Sequence, residues 1–272
     1  MPELPEVETT LRGIMPYLIG QDIRELRVRE RRLRYPIPQD TEGVLVGQRI
    51  QAINRRGKYL VFRLGYGNLI IHLGMSGSVR IVPLTSAPNR HDHLDLVMAE
   101  GLSLRYRDPR RFGLFLWTPD PVEHHPLIRA LGPEPLDHGF DGAYLYKLSR
   151  GRSTPVKNFI MDSKVVVGVG NIYANEALFL ARINPSLPAD SLSHQIYQIL
   201  AEAIRLVLDA AIAAGGTSLK DFVREDGNPG YFTPNLKVYG RHGKPCFNCG
   251  TGILRVKIGQ RSSFFCPTCQ PQ

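Results

Sequence analysis

Apolar residues recur at Val7, Leu11, Ile14 and Leu18, at spacings of four, three and four. That places them on one face of a 3.6-residue period and predicts a helix from residue 1 to about 18. Pro5 suits its first turn, because proline lacks the N–H that goes unpaired there. From about 22 to 117 the pattern changes to short apolar runs at 59–64, 69–73, 79–82, 94–98, 102–106 and 114–117. Several alternate, as in Leu102-Ser103-Leu104-Arg105-Tyr106. Tyr66-Gly67-Asn68 and Glu100-Gly101 fall where hairpin turns belong. The region reads as an antiparallel β domain, a sandwich or a flattened barrel.

Proline and charge dominate from 119 to about 155, which includes Gly132-Pro133-Glu134-Pro135 and Arg150-Gly151-Arg152. This stretch is the expected domain boundary. Helical periodicity returns at 171–182 and, most strongly, at 194–214. There Ile196, Ile199, Leu200, Ala203, Ile204, Val207, Leu208 and Ala211 form one apolar stripe that ends at Gly215-Gly216. Residues 217–237 are polar and punctuated by Gly and Pro, the composition of a functional or disordered loop. Residues 240–272 read as a separate small module. No repeat or low-complexity tract is present.

The chain has 272 residues, which at about 150 per domain suggests two domains. Hydrophobic residues make up 43% and charged residues 22%, so a disordered or collagenous chain is excluded. Thirty-four Lys and Arg against 25 Asp and Glu leave a net charge of +9, which favours a polyanionic partner such as nucleic acid. No run reaches the length of a membrane span, and the acidic start MPELPEVETT has the wrong sign for a signal peptide. A cytoplasmic, monomeric protein is expected.

All four cysteines lie at the end of the chain, as Cys246-x-x-Cys249 and, after 16 residues, Cys266-x-x-Cys269. This spacing suits four thiolates around one zinc ion, with a β-hairpin between the pairs; coincidental pairs or a redox dithiol are the alternatives. A closed Cys₄ site serves folding rather than catalysis, and metal binding would supply most of the module's folding energy. The expected hairpin tip carries Lys257 and Arg261. Gly168-Val169-Gly170-Asn171 precedes a helix whose free N–H groups could meet a phosphate, with Arg152 and Lys157 just upstream; a plain tight turn is the alternative. The result would be a helix–turn–helix-like arrangement with a long connection.

Pro2 follows Met1, and an initiator methionine is normally removed before so small a residue. Removal leaves a secondary amine next to Glu3, a sensible pair for attack on an aldehyde carbon. The competing reading is a helix start with well-placed Pro and Glu. Lys58 follows a turn and could be only a solvated tip. Asp108-Pro109-Arg110-Arg111-Phe112-Gly113 joins two strands and offers guanidinium groups and an apolar wedge to an unstacked base step, or else it is a turn with Phe112 in the core. His91-Asp92-His93 lacks an obvious third metal ligand, so polar contacts are expected, with His91 facing phosphate.

Taken together, the chain resembles the bacterial formamidopyrimidine-DNA glycosylase family, also called 8-oxoguanine DNA glycosylase/AP lyase. The strings that carry the resemblance run from end to end: PELPEVET at 2–9, GKYL at 57–60, HLGMSGS at 72–78, HDH at 91–93, DPRRFG at 108–113, LGPEPL at 131–136, VVGVGNIYANE at 166–176, VYGR at 238–241 and the cysteine module. The resemblance implies an α+β protein with a leading helix and β-sandwich (1–118), a boundary region (119–155), a helix–two-turn–helix domain with a lesion-capping loop (156–237) and a zinc finger (238–272). It implies double-stranded DNA with oxidised bases or abasic sites as partner, one structural Zn²⁺, and a damaged nucleotide flipped out of the stack. DNA would lie bent between the lobes.

The resemblance also implies roles for single residues. Pro2 attacks the sugar C1′ and forms a Schiff base, Glu3 donates the proton, Lys58 is the acid/base of β-elimination, and Arg261 grips the flanking phosphates during δ-elimination. Met75, Arg110 and Phe112 fill the gap left by the flipped base, with Arg110 on the opposite cytosine. His91, Arg152, Lys157 and Asn171 contact phosphate, and the loop at 217–231 closes over the extruded base. Two rivals remain. The sister endonuclease VIII family shares the fold, and Leu4 and the Met75/Arg110/Phe112 set argue against it. A non-catalytic zinc-ribbon DNA-binding protein would leave Pro2-Glu3 idle.

Overall fold

The computed structural model describes residues 2–216 and 236–272. They form two compact units, 2–129 with 215–216, and 130–214 with 236–272.

The first unit begins with α1 (Leu4–Leu18) and continues through β1 (Ile23–Val28), α2 (Thr41–Leu45), β2 (Ile50–Arg56), β3 (Tyr59–Leu64) and β4 (Asn68–His72). β5 (Ser78–Pro83), β6 (Asp92–Met98), β7 (Leu102–Arg107), β8 (Leu114–Thr118) and the short α3 (Pro126–Arg129) complete it. The strands make two separate four-stranded antiparallel sheets, ordered β1-β6-β7-β5 and β2-β3-β4-β8, so the architecture is a sandwich and not a barrel. Every apolar run singled out in the sequence became a strand. β1 and β2 escaped notice because each carries a register shift, at Ile23/Glu25 and Ile50/Ala52. A bulge breaks the two-residue alternation that marks a strand.

Side chains from both sheets and α1 share one core. Val7, Leu11, Ile14 and Leu18 of the helix meet Leu60, Phe62, Leu96, Leu104 and Phe115, all buried. Burying one such side chain is worth about 1.5–3 kcal/mol, so the helix stripe alone supplies a strong anchor.

The second unit contains α4 (Gly142–Ser149), α5 (Val156–Met161), α6 (Asn171–Leu180), α7 (His194–Ala213) and the hairpin β9 (Leu254–Ile258) and β10 (Arg261–Phe265). Ser193 caps α7 by accepting from the Ile196 amide, and Gly215 and Gly216 leave the helix with positive φ, as the glycine pair predicted. The two units divide between 129 and 130, inside the stretch 119–155, and α4 belongs to the second unit. α4 packs on α7, with Phe140 and Leu145 fully buried. Eight residues are too few for a periodic signal to emerge from the surrounding prolines.

The cysteine module does not stand alone either. Phe179 of α6 shares a buried cluster with Val238, Cys246, Ile253, Phe264 and Cys266. The buried Glu176 carboxylate accepts the amides of Lys237, Val238 and Tyr239 at 2.8, 3.0 and 2.8 Å. Burial pushes its pKa up, while the three amides favour the charged form.

A Cβ on Gly142 would lie 2.4 Å from the Gln198 backbone, whereas one on Gly139 meets nothing within 4 Å. Gly142→Ala should therefore wedge α4 from α7 and cost about 1–3 kcal/mol. Urea unfolding followed by circular dichroism at 222 nm should move to lower midpoint for Gly142→Ala and stay put for Gly139→Ala. Equal midpoints for the two variants would contradict this packing.

Candidate active site and nucleic-acid interface

The chain start is held by its own helix. Glu3 is the N-cap of α1 and forms a reciprocal capping box with Glu6, whose Oε2 accepts the Glu3 amide at 2.8 Å. This arrangement satisfies N–H groups that a helix start would otherwise leave unpaired. Pro2 and Glu3 are buried. Pro2 and Glu3 therefore lead directly into a capped helix that packs in the core.

Lys58 occupies the second place of the two-residue turn joining β2 to β3, after Gly57 with φ 56°. Glycine at the first place matches the turn family that follows the twist of a hairpin. The preceding strand is tied to α1, because Arg55 donates to Glu8 at 2.8 Å and Glu8 also pairs with Arg12. His72, at the end of β4, pairs with Tyr59 across the sheet, and their rings lie 4.8 Å apart. Burial lowers the His72 pKa to about 4, with further depression by the Lys58 and Arg34 charges. Its Nδ1 accepts the Gly74 amide at 3.0 Å, which fixes the neutral imidazole with its proton on Nε2. Sequence reasoning gave His72 no role; only its cross-strand place beside the Lys58 turn reveals it.

Met75 lies on the β4–β5 connection, and Arg110 and Phe112 on the β7–β8 connection. The structure holds Met75 and Phe112 in solvent at 38% and 46% exposure, so Phe112 is not a core residue. The Arg110 guanidinium stands 4.7 Å over the Phe112 ring. His91 lines a cleft of about 510 Å³ with Arg29, Arg90 and Arg111. The loop that carries His91 is fastened from below. Buried Arg105 donates to the carbonyls of Ser86 and Ala87, and Asp92 accepts the Asn89 amide at 2.7 Å.

In the second unit, Arg152 is exposed and lies 5.6 Å from the Phe159 ring. Asn171 opens α6 after Gly168, which has φ 83°, and Gly170. Lys157 is fully buried, and its Nζ donates to Asn171 Oδ1 (2.6 Å), Ser262 O (3.2 Å) and Ser263 Oγ (2.7 Å). A buried ammonium on three protein oxygens holds α5, α6 and β10 together, which is a different task from the phosphate contact expected of it. Arg261 is exposed and directly follows the β9–β10 turn, where Gly259 and Gln260 both have positive φ. Lys157 and Asn171 thus fix the strand that carries Arg261.

Cys246, Cys249, Cys266 and Cys269 place their sulfurs within 4.8 Å of one another, the only such cluster of metal-ligating groups among the described residues. Sulfur pairs at 3.4, 3.6 and 3.9 Å are far beyond a disulfide and bracket the separation of about 3.8 Å that tetrahedral thiolates about 2.3 Å from zinc require. The four residues fit one closed zinc site. Met1 and the loop proposed to cap an extruded base, 217–231, lie outside the described residues.

Comparisons with known proteins agree along the whole chain. Residues 1–115 match the formamidopyrimidine-DNA glycosylase N-terminal domain, 131–223 its H2TH domain, and 243–272 the zinc finger found in FPG and IleRS. A formamidopyrimidine-DNA glycosylase of Methylococcus capsulatus is 57% identical over 99% of this chain and 100% of its own. The crystal structure of MutM (Fpg) from Thermus thermophilus is similar at TM-score 0.89 and 39% identity, covering 100% of this chain and 99% of that one. A Lactococcus lactis Fpg variant in complex with a Fapy-dG containing DNA is similar at TM-score 0.92 and 34% identity, over 100% of both chains.

As pH falls through 6.5, an unfolded chain takes up a proton on His72 while the folded protein does not until about 4. Stability should therefore decline between pH 6.5 and 4, by at most about 3 kcal/mol from this residue. The difference in unfolding free energy between the unaltered protein and His72→Gln should change with pH in that window and be flat above it. A difference that stays constant from pH 7.5 to 4 would contradict the neutral, shielded imidazole. For the metal, Cys249→Ser leaves three thiolates and should lose most zinc affinity. Far-UV spectra should show loss of the β9–β10 hairpin, and zinc content should fall below one per chain. Full retention of one zinc would contradict the four-thiolate site.

Proposed function

The chain belongs to the formamidopyrimidine-DNA glycosylase family, and from that premise we propose that Pro2, Glu3, Lys58 and Arg261 carry the chemistry of a bifunctional base-excision enzyme. The enzyme is a DNA glycosylase with AP lyase activity that acts on oxidised purines, 8-oxoguanine and formamidopyrimidines, in double-stranded DNA. The observation that carries the assignment is the buried chain start, where Pro2 is followed by a Glu3 held in a reciprocal capping box. With the initiator methionine removed, the Pro2 nitrogen has a free lone pair. It attacks C1′ of the extruded nucleotide, the bond from C1′ to the damaged base breaks, and the proton lost from the Pro2 nitrogen passes to the departing base. The bond from C1′ to the ring oxygen then breaks as the nitrogen lone pair forms the C=N⁺ of an iminium, and Glu3 protonates the departing oxygen.

The iminium is an electron sink that acidifies the sugar C2′ proton. Loss of that proton expels the 3′ phosphate, and Lys58 serves as the acid/base of this β-elimination. Arg261 holds the flanking phosphates while δ-elimination expels the 5′ phosphate. Met75 and Phe112 fill the space vacated by the flipped base, and Arg110 hydrogen-bonds the opposite cytosine. His91, Arg152 and Asn171 contact phosphates, with Lys157 acting through Asn171 and the β10 strand. The zinc ion keeps the hairpin folded and takes no part in bond breaking. The protein works in the cytoplasm, where bacterial DNA lies.

Borohydride should trap the iminium as a stable protein–DNA crosslink. A residue added before Pro2 that is not removed turns its nitrogen into an amide with no available lone pair. Crosslinking and base release should then collapse while lesion binding survives, since the gap-filling residues are unchanged. Lys58→Ala keeps the amine and should retain part of the crosslink. Full crosslinking by the blocked protein would overturn the assignment. Arg110→Ala should cost about 1–3 kcal/mol of preference for cytosine opposite the lesion, measured as the ratio of cleavage rates on the two duplexes. An unchanged ratio would remove Arg110 from that role.

A further inference from the structure

The three gap-filling side chains come from two different loops, and both loops converge on one carboxylate. Asp108 is fully buried, although Met75, Arg110 and Phe112 around it are exposed. Its Oδ1 accepts the Ser76 hydroxyl at 2.8 Å, and its Oδ2 accepts the Gly113 amide at 2.8 Å and the Tyr106 hydroxyl at 3.4 Å. The Ser76 Oγ in turn accepts the Arg110 amide at 3.1 Å. The Asp108 carbonyl accepts the Arg111 amide at 3.1 Å and faces His93 Nε2 at 2.6 Å. A carbonyl can only accept, so Nε2 carries the proton. The Asp108 amide donates to His91 O at 3.1 Å, which joins the phosphate-facing loop to the same centre.

The loops also touch backbone to backbone. A Cβ on Gly74 would lie 2.5 Å from Gly113 N, and one on Gly113 would lie 1.9 Å from the Tyr106 hydroxyl. Neither loop can slide on the other without breaking bonds to Asp108.

We propose that Asp108 is a positioning residue that sets the mutual placement of Met75, Arg110 and Phe112, and through it the selectivity for the base opposite the lesion. The proposal rests on the gap-filling reading given above. A buried carboxylate suits the task because it accepts from several donors at once, and a missing partner would leave it charged and unsatisfied. It makes the probe constellation rigid before DNA arrives, so the opposite base meets a fixed guanidinium.

Two variants test it. Asp108→Asn keeps the shape but has one acceptor oxygen for donors on two sides. Ser76→Ala removes one arm at the partly exposed edge and leaves the Gly113 and Tyr106 bonds in place, so it should fold even if Asp108→Asn does not. Two readouts separate positioning from general damage. The first is the ratio of cleavage rates for 8-oxoguanine opposite cytosine and opposite adenine. The second is borohydride trapping on a single-stranded abasic oligonucleotide, which has no opposite base and no stack to hold open. Both variants should lower the ratio by about threefold to tenfold, while trapping stays within about twofold of the unaltered protein. In an Arg110→Ala background, Ser76→Ala should change the ratio no further. An unchanged ratio, a parallel fall in ratio and trapping, or an additive effect in the Arg110→Ala background would each overturn the proposal. Failure of the unaltered protein to trap would instead overturn the Schiff-base reading.

Discussion

A nucleophile on the second residue of a chain can work only where the chain's beginning is held still. The first residues of most domains fray unless something ties them down. Here α1 supplies the tie. Its stripe of Val7, Leu11, Ile14 and Leu18 enters the core shared by both sheets, and the Glu3–Glu6 capping box closes its first turn. Glu8 then pins β2 through Arg55, and β2 leads into the turn that presents Lys58. The sandwich is thus the mount for the chain start proposed to react, and Pro2, Glu3 and the turn of Lys58 are all tied to the helix.

The same solution recurs among the side chains proposed to face DNA: exposed groups stand on fully buried polar ones. Asp108 holds the loops of Met75, Arg110 and Phe112, while Lys157 holds Asn171 and the strand that bears Arg261. Buried charges are costly unless every hydrogen-bonding site is used, and each of these has several partners. They favour one arrangement of loops over others of similar packing energy. Zinc does the same for the hairpin, where a cluster of few apolar residues could not fix the fold alone.

Much of this was legible in the sequence. The spacing of Val7, Leu11, Ile14 and Leu18 announced α1, six short apolar runs, several of them alternating, announced six of the eight sandwich strands, and the cysteine pairs announced the metal site. β1 and β2 were hidden because bulges at Ile23/Glu25 and Ile50/Ala52 interrupt alternation. α4 was hidden because eight residues among prolines carry too little periodicity, so a helix of the second unit read as linker. The residues proposed for the chemistry stand out in the sequence only as types at suggestive places, Pro2 beside Glu3 above all. Their supports were not. Lys157 looks like any basic residue upstream of a glycine turn, and only its complete burial shows that it faces protein. His72 and Asp108 gain their meaning from cross-strand and loop-to-loop contacts, which no local pattern encodes.

The claim that an anchored N-terminal amine performs the covalent step is tested most directly by locating the attachment atom. The protein, with Met1 removed, would be reduced with borohydride on DNA containing an abasic site, digested, and the adduct placed by tandem mass spectrometry. A single modified peptide at the chain start is expected, with the sugar remnant on the Pro2 nitrogen. A remnant on Lys58, or on any other lysine while Pro2 is recovered unmodified, would contradict it.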